Sequence, residues 1–361
     1  MIFGSASWVK FRFLAVIGAV TILGYIVTRS LAAGPLAAFE PETGSLSAGS
    51  SIQSQAGSSG NGVVKFAASS STTPTPSPTV VPSSLEPFAS TSPWNAPLPA
   101  NATWRDEPLL RSNHWYVNST QYSMPYAIAA PSDPMVSITV PASWGWPAGP
   151  VSMAAPSGLT GDAGTDKTVI IQNGTKVCDF WHFIRGSDTT ATSSSYGCTD
   201  AVTGSGFGTS SPFKSAGIRA AGASALGGLL QGHNFTTGVK RQALAVSLLG
   251  TLLKKGWVSP AIAEDGNSGT NYKGTIPMGA RIGIPAGISR PTGMTSGGNM
   301  VWDTLQTYGA YVVDQNYGTN PVVLYADPRS TSSTQVAPLR VWWNGAPADL
   351  DLIMPHVRVL E

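Results

Sequence analysis

The sequence predicts a mainly β protein, sandwich or jelly-roll-like, with a few short helices. Three observations lead there. Charged residues are only 11% of the chain, beside 40 Gly, 11 Trp, 10 Tyr and 11 Phe. That balance suits a secreted β-rich protein better than a cytosolic helical one. Short runs of period-two alternation, broken by turn residues, recur through the second half. An apolar segment near the N-terminus follows basic residues, which addresses the chain to a membrane.

That segment is residues 13–27, FLAVIGAVTILGYIV, with Lys10 and Arg12 in front. Residues 1–40 are read as a signal peptide or a signal anchor. As a signal peptide, Ser30-Leu31-Ala32 supplies small residues for cleavage. As an anchor, the run extends past Arg29 toward Leu36 to reach the roughly 20 residues of a span. Either way the remainder is extracellular or at the cell surface, and membrane contact is confined to this segment.

Residues 41–85 change composition to Ser, Gly, Thr, Ala and Pro, as in SAGSSIQSQAGSSGNG and SSSTTPTPSP. Such a stretch buries too little apolar surface to offset its ordering entropy, so a disordered linker is expected. Residues 86–361 then form the extracytoplasmic β-rich domain. A net charge of +2 and no basic patch argue against nucleic acid as a partner.

Within the domain, Met135–Val140 alternates Val136, Ile138 and Val140 against Ser137 and Thr139. Lys167–Gln172 and Thr175–Arg185 flank Asn173-Gly174, the clearest hairpin signal. Ala243–Leu253, Arg281–Pro285, Ala310–Asp314, Val322–Tyr325 and Leu339–Trp343 are further strands. Helices are expected at Ser215–Leu230 and at Asn299–Tyr308, the second capped by Gly309. Gly186–Ser211 is expected to be a long loop, of the kind that rims functional sites.

The two cysteines, Cys178 and Cys198, are expected to form a disulfide in an oxidising compartment. Their spacing with one nearby histidine fits no standard zinc pattern, so neither a metal nor a cofactor is expected.

The segment 178–185, CDFWHFIR, is the densest run of reactive and aromatic types. As a strand it places Asp179, Trp181, Phe183 and Arg185 on one face, and Cys178, Phe180, His182 and Ile184 on the other. A carboxylate, two rings and a guanidinium in one row make a floor for a sugar-binding cleft. Trp181, Phe183 and Arg185 are the substrate-binding candidates. Asp179 is the first catalytic candidate, and Asp314, at a strand end before a turn, supplies the second carboxylate that hydrolysis needs. His182 lies on the apolar face, where a core histidine is the plainer reading. It is kept as the third catalytic candidate. Glu264 and Asp265 sit in a turn-like AEDG stretch and rank behind these, and Asp303 suits a helix first turn. No G-x-S-x-G, Walker A or H-E-x-x-H pattern occurs.

SPWNAPLP (92–99), VCDFWHF (177–183), AAGASALGGLLQG (220–232), VSPAIAEDG (258–266), IPMGARIGIP (276–285) and LQTYGAYVVD (305–314) stand in this order. In that order the chain resembles a group of secreted bacterial, actinobacterial-type proteins of uncharacterised function, over about residues 90–326. The resemblance implies an exported bacterial protein with one domain. It departs at RQALAV (241–246), where similar sequences place an acid or a histidine.

The function expected is an exported polysaccharide-active enzyme, a glycoside hydrolase or lyase using paired carboxylates, with a polysaccharide or cell-wall glycan as partner. A non-catalytic glycan-binding module and a structural surface protein are the alternatives.

Overall fold

The computed structural model describes residues 50–54, 62–66, 86–142, 148–210, 213–341 and 344–361. The apolar run 13–27 lies outside the described residues. The chain divides into two units, 1–78 and 79–361. In the first, Ser50–Ser54 pairs antiparallel with Gly62–Phe66, and Ile52 faces Val64 across the ladder. The stretch expected to be a disordered linker therefore carries a hairpin. Its strands hold the β-branched residues Ile52, Val63 and Val64. The rest of 41–85 lies outside the described residues.

The second unit is mainly β, with several sheets and few short helices. Its largest sheet has seven strands, in the order Trp104–Arg105, Arg358–Leu360, Arg281–Gly283, Ala310–Asn316, Leu244–Leu249, Val322–Tyr325 and Tyr116–Asn118. The two central strands, Ala310–Asn316 and Leu244–Leu249, run parallel. Residues 310–313 and 244–248 are all buried, as expected of strands covered on both faces. Helices Ser296–Thr307, Ser333–Arg340 and Asp349–Ile353 contribute Met300, Trp302, Val336, Leu339 and Ile353 to the same core as Val246, Val312 and Leu324.

Two four-stranded sheets enclose a second core. One runs Ile184–Arg185, Thr190–Thr192, Met135–Thr139, Val151–Ala154. The other runs Ser195–Asp200, Lys176–Trp181, Val169–Asn173, Tyr126–Ile128. Val136, Ile138 and Met153 from the first meet Val169, Ile171, Cys178 and Phe180 from the second. Met135–Thr139 alternates exposed and buried as its sequence predicts. The hairpin turns at Gly174, which takes φ +56°. Cys198 pairs directly with Cys178 across the sheet, and their sulfurs are bonded at 2.00 Å. Tyr126–Ile128 with Val169–Asn173, and Thr190–Thr192 with Met135–Thr139, pair parallel; a jelly roll has antiparallel neighbours.

Three expected elements differ. Ser215–Leu230 is not a helix but a buried irregular path. Its backbone N–H groups bond outward to the sheet, Ala221 to the Val313 carbonyl and Leu230 to that of Tyr325. Gly222 and Gly228 take φ +73° and +70°, which a helix excludes. Gly186–Ser211 is not one loop. Thr190–Thr192 and Ser195–Asp200 pair as strands within it, because alternating small and β-branched residues fit the ladder beside the disulfide. Leu339 and Arg340 end a helix rather than begin a strand. The Ser332/Gln335 capping box starts that helix, and it outweighs the β pattern downstream. Trp342 and Trp343 lie outside the described residues. The helix expected at Asn299–Tyr308 forms as Ser296–Thr307, followed by Gly309 at φ +71°.

Replacing both Cys178 and Cys198 with Ser should lower the unfolding free energy by roughly 3 kcal/mol, the scale for a loop of about 20 residues. Urea denaturation of the double variant beside the wild type checks it.

Candidate functional site

Asp179 sits in the interior. It is 0% exposed. Its carboxylate accepts the Ala225 N–H at 2.5 Å and the Ser224 hydroxyl at 3.4 Å, and the Ile218 N–H also bonds to it. Gly217 makes this approach possible, since a Cβ there would collide with the carboxylate. Burial pushes the Asp179 carboxyl up from 3.8 to about 7, against the opposing pull of the Ala225 N–H and the Arg219 charge. Asp179 therefore does not line a groove, as the strand-face reading required. It fastens the 217–226 segment to the strand Lys176–Trp181.

The expected row of side chains is broken at His182. His182 takes φ +54°, the left-handed region, and its N–H bonds to the Asp166 carbonyl. The chain turns there, so period two ends. The Trp181 and His182 rings stack at 3.7 Å instead of pointing to opposite faces. His182 Nδ1 lies 3.2 Å from the Ser194 hydroxyl. Phe183 goes into the second core beside Phe180. Arg185 bonds to the Ser187 and Asp188 carbonyls of its own hairpin. Of the six residues expected at a common site, Asp314 lies beside Arg219, Trp181 and His182 stack on each other, Phe183 and Arg185 point elsewhere, and Asp179 is interior; the disulfide braces the Asp179 strand.

The site itself gathers around Arg219 and Asp314. Arg219 is 1% exposed, with its guanidinium carbon 3.5 Å above the Tyr325 ring. Nη1 lies 3.7 Å from the Asp314 carboxylate. Its Nε and Nη2 have no protein partner. Asp314 owes its position to a bulge. Val246 pairs with Val312 but Ser247 pairs with Asp314, so Val313 is the extra residue. Bulges of this kind re-aim side chains next to sites. The strand passes there from the fully buried residues 310–313 to the half-exposed residues 314–316.

Asp265 comes from the loop after Leu253–Trp257. Tyr272 Oη donates to it at 2.5 Å, while Glu264 braces the same loop by accepting from the Gly256 N–H and the Ser268 hydroxyl. Asp166 receives a hydrogen bond from Trp181. Burial raises the pKa of Asp314, and the charges of Asp265 and Asp166 raise it further while Arg219 opposes. Burial also raises Asp265, opposed by the Tyr272 bond. Asp166 is raised by burial too. Asp314 thus faces one guanidinium and feels two further carboxyls, which Tyr272 and Trp181 hold by hydrogen bonds. Crowded carboxyls of this kind hold a proton near neutral pH, so one can donate a proton while another accepts one. Among the described residues no three His, Cys, Asp or Glu side chains are placed to hold a metal ion.

Sequence reasoning found Asp314 and ranked Asp265 low, because Asp-Gly is first a turn signal. It missed Asp166 and Arg219. Both lie in Gly-rich stretches without a motif. The one available cue for Arg219 was a lone charge among small residues in AGIRAAGA, a composition that only a buried partner can explain. No family model matches the chain, and no curated protein or solved structure matches it.

Asp179→Asn tests the interior assignment through pH. The raised folded pKa means that Asp179 favours folding below pH ~4, and this contribution is lost as pH rises toward 7. Relative to the Asn variant, the wild type should lose a few kcal/mol of stability between about pH 4 and 7. Denaturant melts of both proteins across that range measure it.

Proposed function

We propose that the domain is an exported glycoside hydrolase acting on a neutral polysaccharide, with Asp314 and Asp265 as its acid/base pair. The observation that carries this is a half-buried Asp314 facing the buried Arg219 at 3.7 Å, with burial and the charges of Asp265 and Asp166 raising its carboxyl. Hydrolysis of a glycosidic bond needs one carboxylic acid to protonate the leaving oxygen and one carboxylate to activate water or attack the anomeric carbon. Burial and like charge keep a proton on the pair, so Asp314 is the donor. Tyr272 holds Asp265 in the ionised role by donating to it. Trp181 orients Asp166 beside them. The export assignment rests on the apolar run 13–27 behind Lys10 and Arg12, and on a cysteine pair suited to an oxidising compartment.

The charge balance favours hydrolysis over elimination. A lyase must neutralise the carboxylate of a uronic acid, and here a single guanidinium already faces Asp314. Three carboxyls would repel an anionic sugar. A neutral one offers hydroxyl donors to the carboxylates.

Asp314→Asn, assayed well below its own melting temperature, should reduce turnover at least a hundredfold, the scale of one acid/base group. Reducing-sugar release from β-glucan, xylan, galactomannan and arabinan, for wild type and variant, measures it. Wild-type inactivity on all four substrates would count against the hydrolase.

A further inference from the structure

The exposed rings near the acid cluster point to how much of a substrate the site holds. Among the described residues the strongly exposed aromatics are Tyr122, Trp257 and Tyr317. Tyr317 is 69% exposed, and its hydroxyl accepts from Asn267 Nδ2 at 2.6 Å. Asn267 lies two residues beyond Asp265, and Tyr317 three beyond Asp314. One hydrogen bond therefore ties together the two segments that carry the acid/base pair. It also fixes a ring within about 10 Å of chain from Asp314. Tyr122 is 42% exposed. Its N–H is held by Asp162 at 2.8 Å, and its hydroxyl accepts from Thr165, the residue before Asp166, at 3.5 Å. Tyr122 is thus tied to the segment of Asp166, and Tyr317 to the segments of Asp265 and Asp314.

An exposed tyrosine ring tied at its hydroxyl keeps its face in solvent and loses little freedom when something stacks on it. The electron-rich face attracts the weakly positive C–H groups of a sugar ring. Two such faces, on the two sides of a proton-transferring centre, would engage sugars on both sides of the bond cleaved.

We infer that Tyr122 and Tyr317 are sugar-stacking platforms flanking the acid pair, so that the site takes an internal stretch of a neutral polysaccharide rather than a chain end. This rests on the glycan-hydrolase reading for the reaction, but the stacking itself does not require turnover.

Affinity electrophoresis through gels containing β-glucan, xylan, galactomannan or arabinan separates the two. The background is Asp314→Asn, which removes the reaction and leaves the rings. Adding Tyr317→Ala or Tyr122→Ala should each weaken binding to the retarding polysaccharide about tenfold, the scale of one aromatic contact. Tyr317→Phe, which keeps the ring and drops the Asn267 bond, should retain most of the affinity. If binding is lost as expected while the wild type hydrolyses nothing, the platforms stand and the hydrolase reading falls. If the wild type hydrolyses a polysaccharide but neither alanine variant weakens binding, the platforms are refuted and the hydrolase stands. Equal loss in Tyr317→Phe and Tyr317→Ala, with a lowered melting temperature, also refutes the inference, because Tyr317 is then a strut. Release of only a single sugar or disaccharide by the wild type, without internal cleavage, overturns the internal-stretch assignment.

Discussion

The Arg219 guanidinium is the group on which the unit's organisation depends. A buried charge is costly unless it is paired and hydrogen-bonded. Here it stacks on Tyr325 from one strand of the seven-stranded sheet, faces Asp314 from another strand of the same sheet, and feels Asp179 from the strand Lys176–Trp181. Those partners come from two sheets. The irregular segment that carries Arg219 is itself fixed by Asp179 through the Ala225 N–H. Removing any one partner leaves a charge in low dielectric, where the loss is several times that of a surface pair.

The same charge sets the chemistry in front of it. The charges of Asp265 and Asp166 both act on Asp314, whose opposing cation is Arg219, which leaves more carboxyl than positive charge. The surplus is relieved by retaining a proton. A protonated carboxyl beside an ionised one is what a glycosidic bond requires. The scaffold then contributes placement: a bulge for Asp314, a Tyr272 hydroxyl for Asp265 and the Trp181 indole for Asp166. The disulfide next to Asp179 stiffens the strand behind them.

Much of the β framework was legible because it obeys period two. Met135–Thr139, the hairpin at Asn173-Gly174 and Val322–Tyr325 form where alternation or turn chemistry places them. The cysteine pairing followed from there being only two. The site was legible in part. Asp314 was visible as a carboxylate at a strand end. Asp179 read as a surface residue because Gly217, distant in sequence, makes room for it in the interior. The face expected to hold Asp179, Trp181, Phe183 and Arg185 failed at a single torsion, the positive φ of His182, which no residue type demands. Arg219 was hidden because a glycine- and alanine-rich run reads as a poor helix. Its path is decided by tertiary hydrogen bonds that local pattern does not encode.

The central claim is that Asp314 and Asp265 share a proton over Arg219. Carbon-13 NMR titration of the aspartate carboxyls, with Asp314→Asn and Asp265→Asn for assignment, reads this directly. The account predicts that one carboxyl of the pair titrates well above the ordinary range, and that its midpoint drops when the other is made neutral. If both titrate in the ordinary aspartate range, and neither responds to loss of the other, the pair does not hold a proton and the account is wrong.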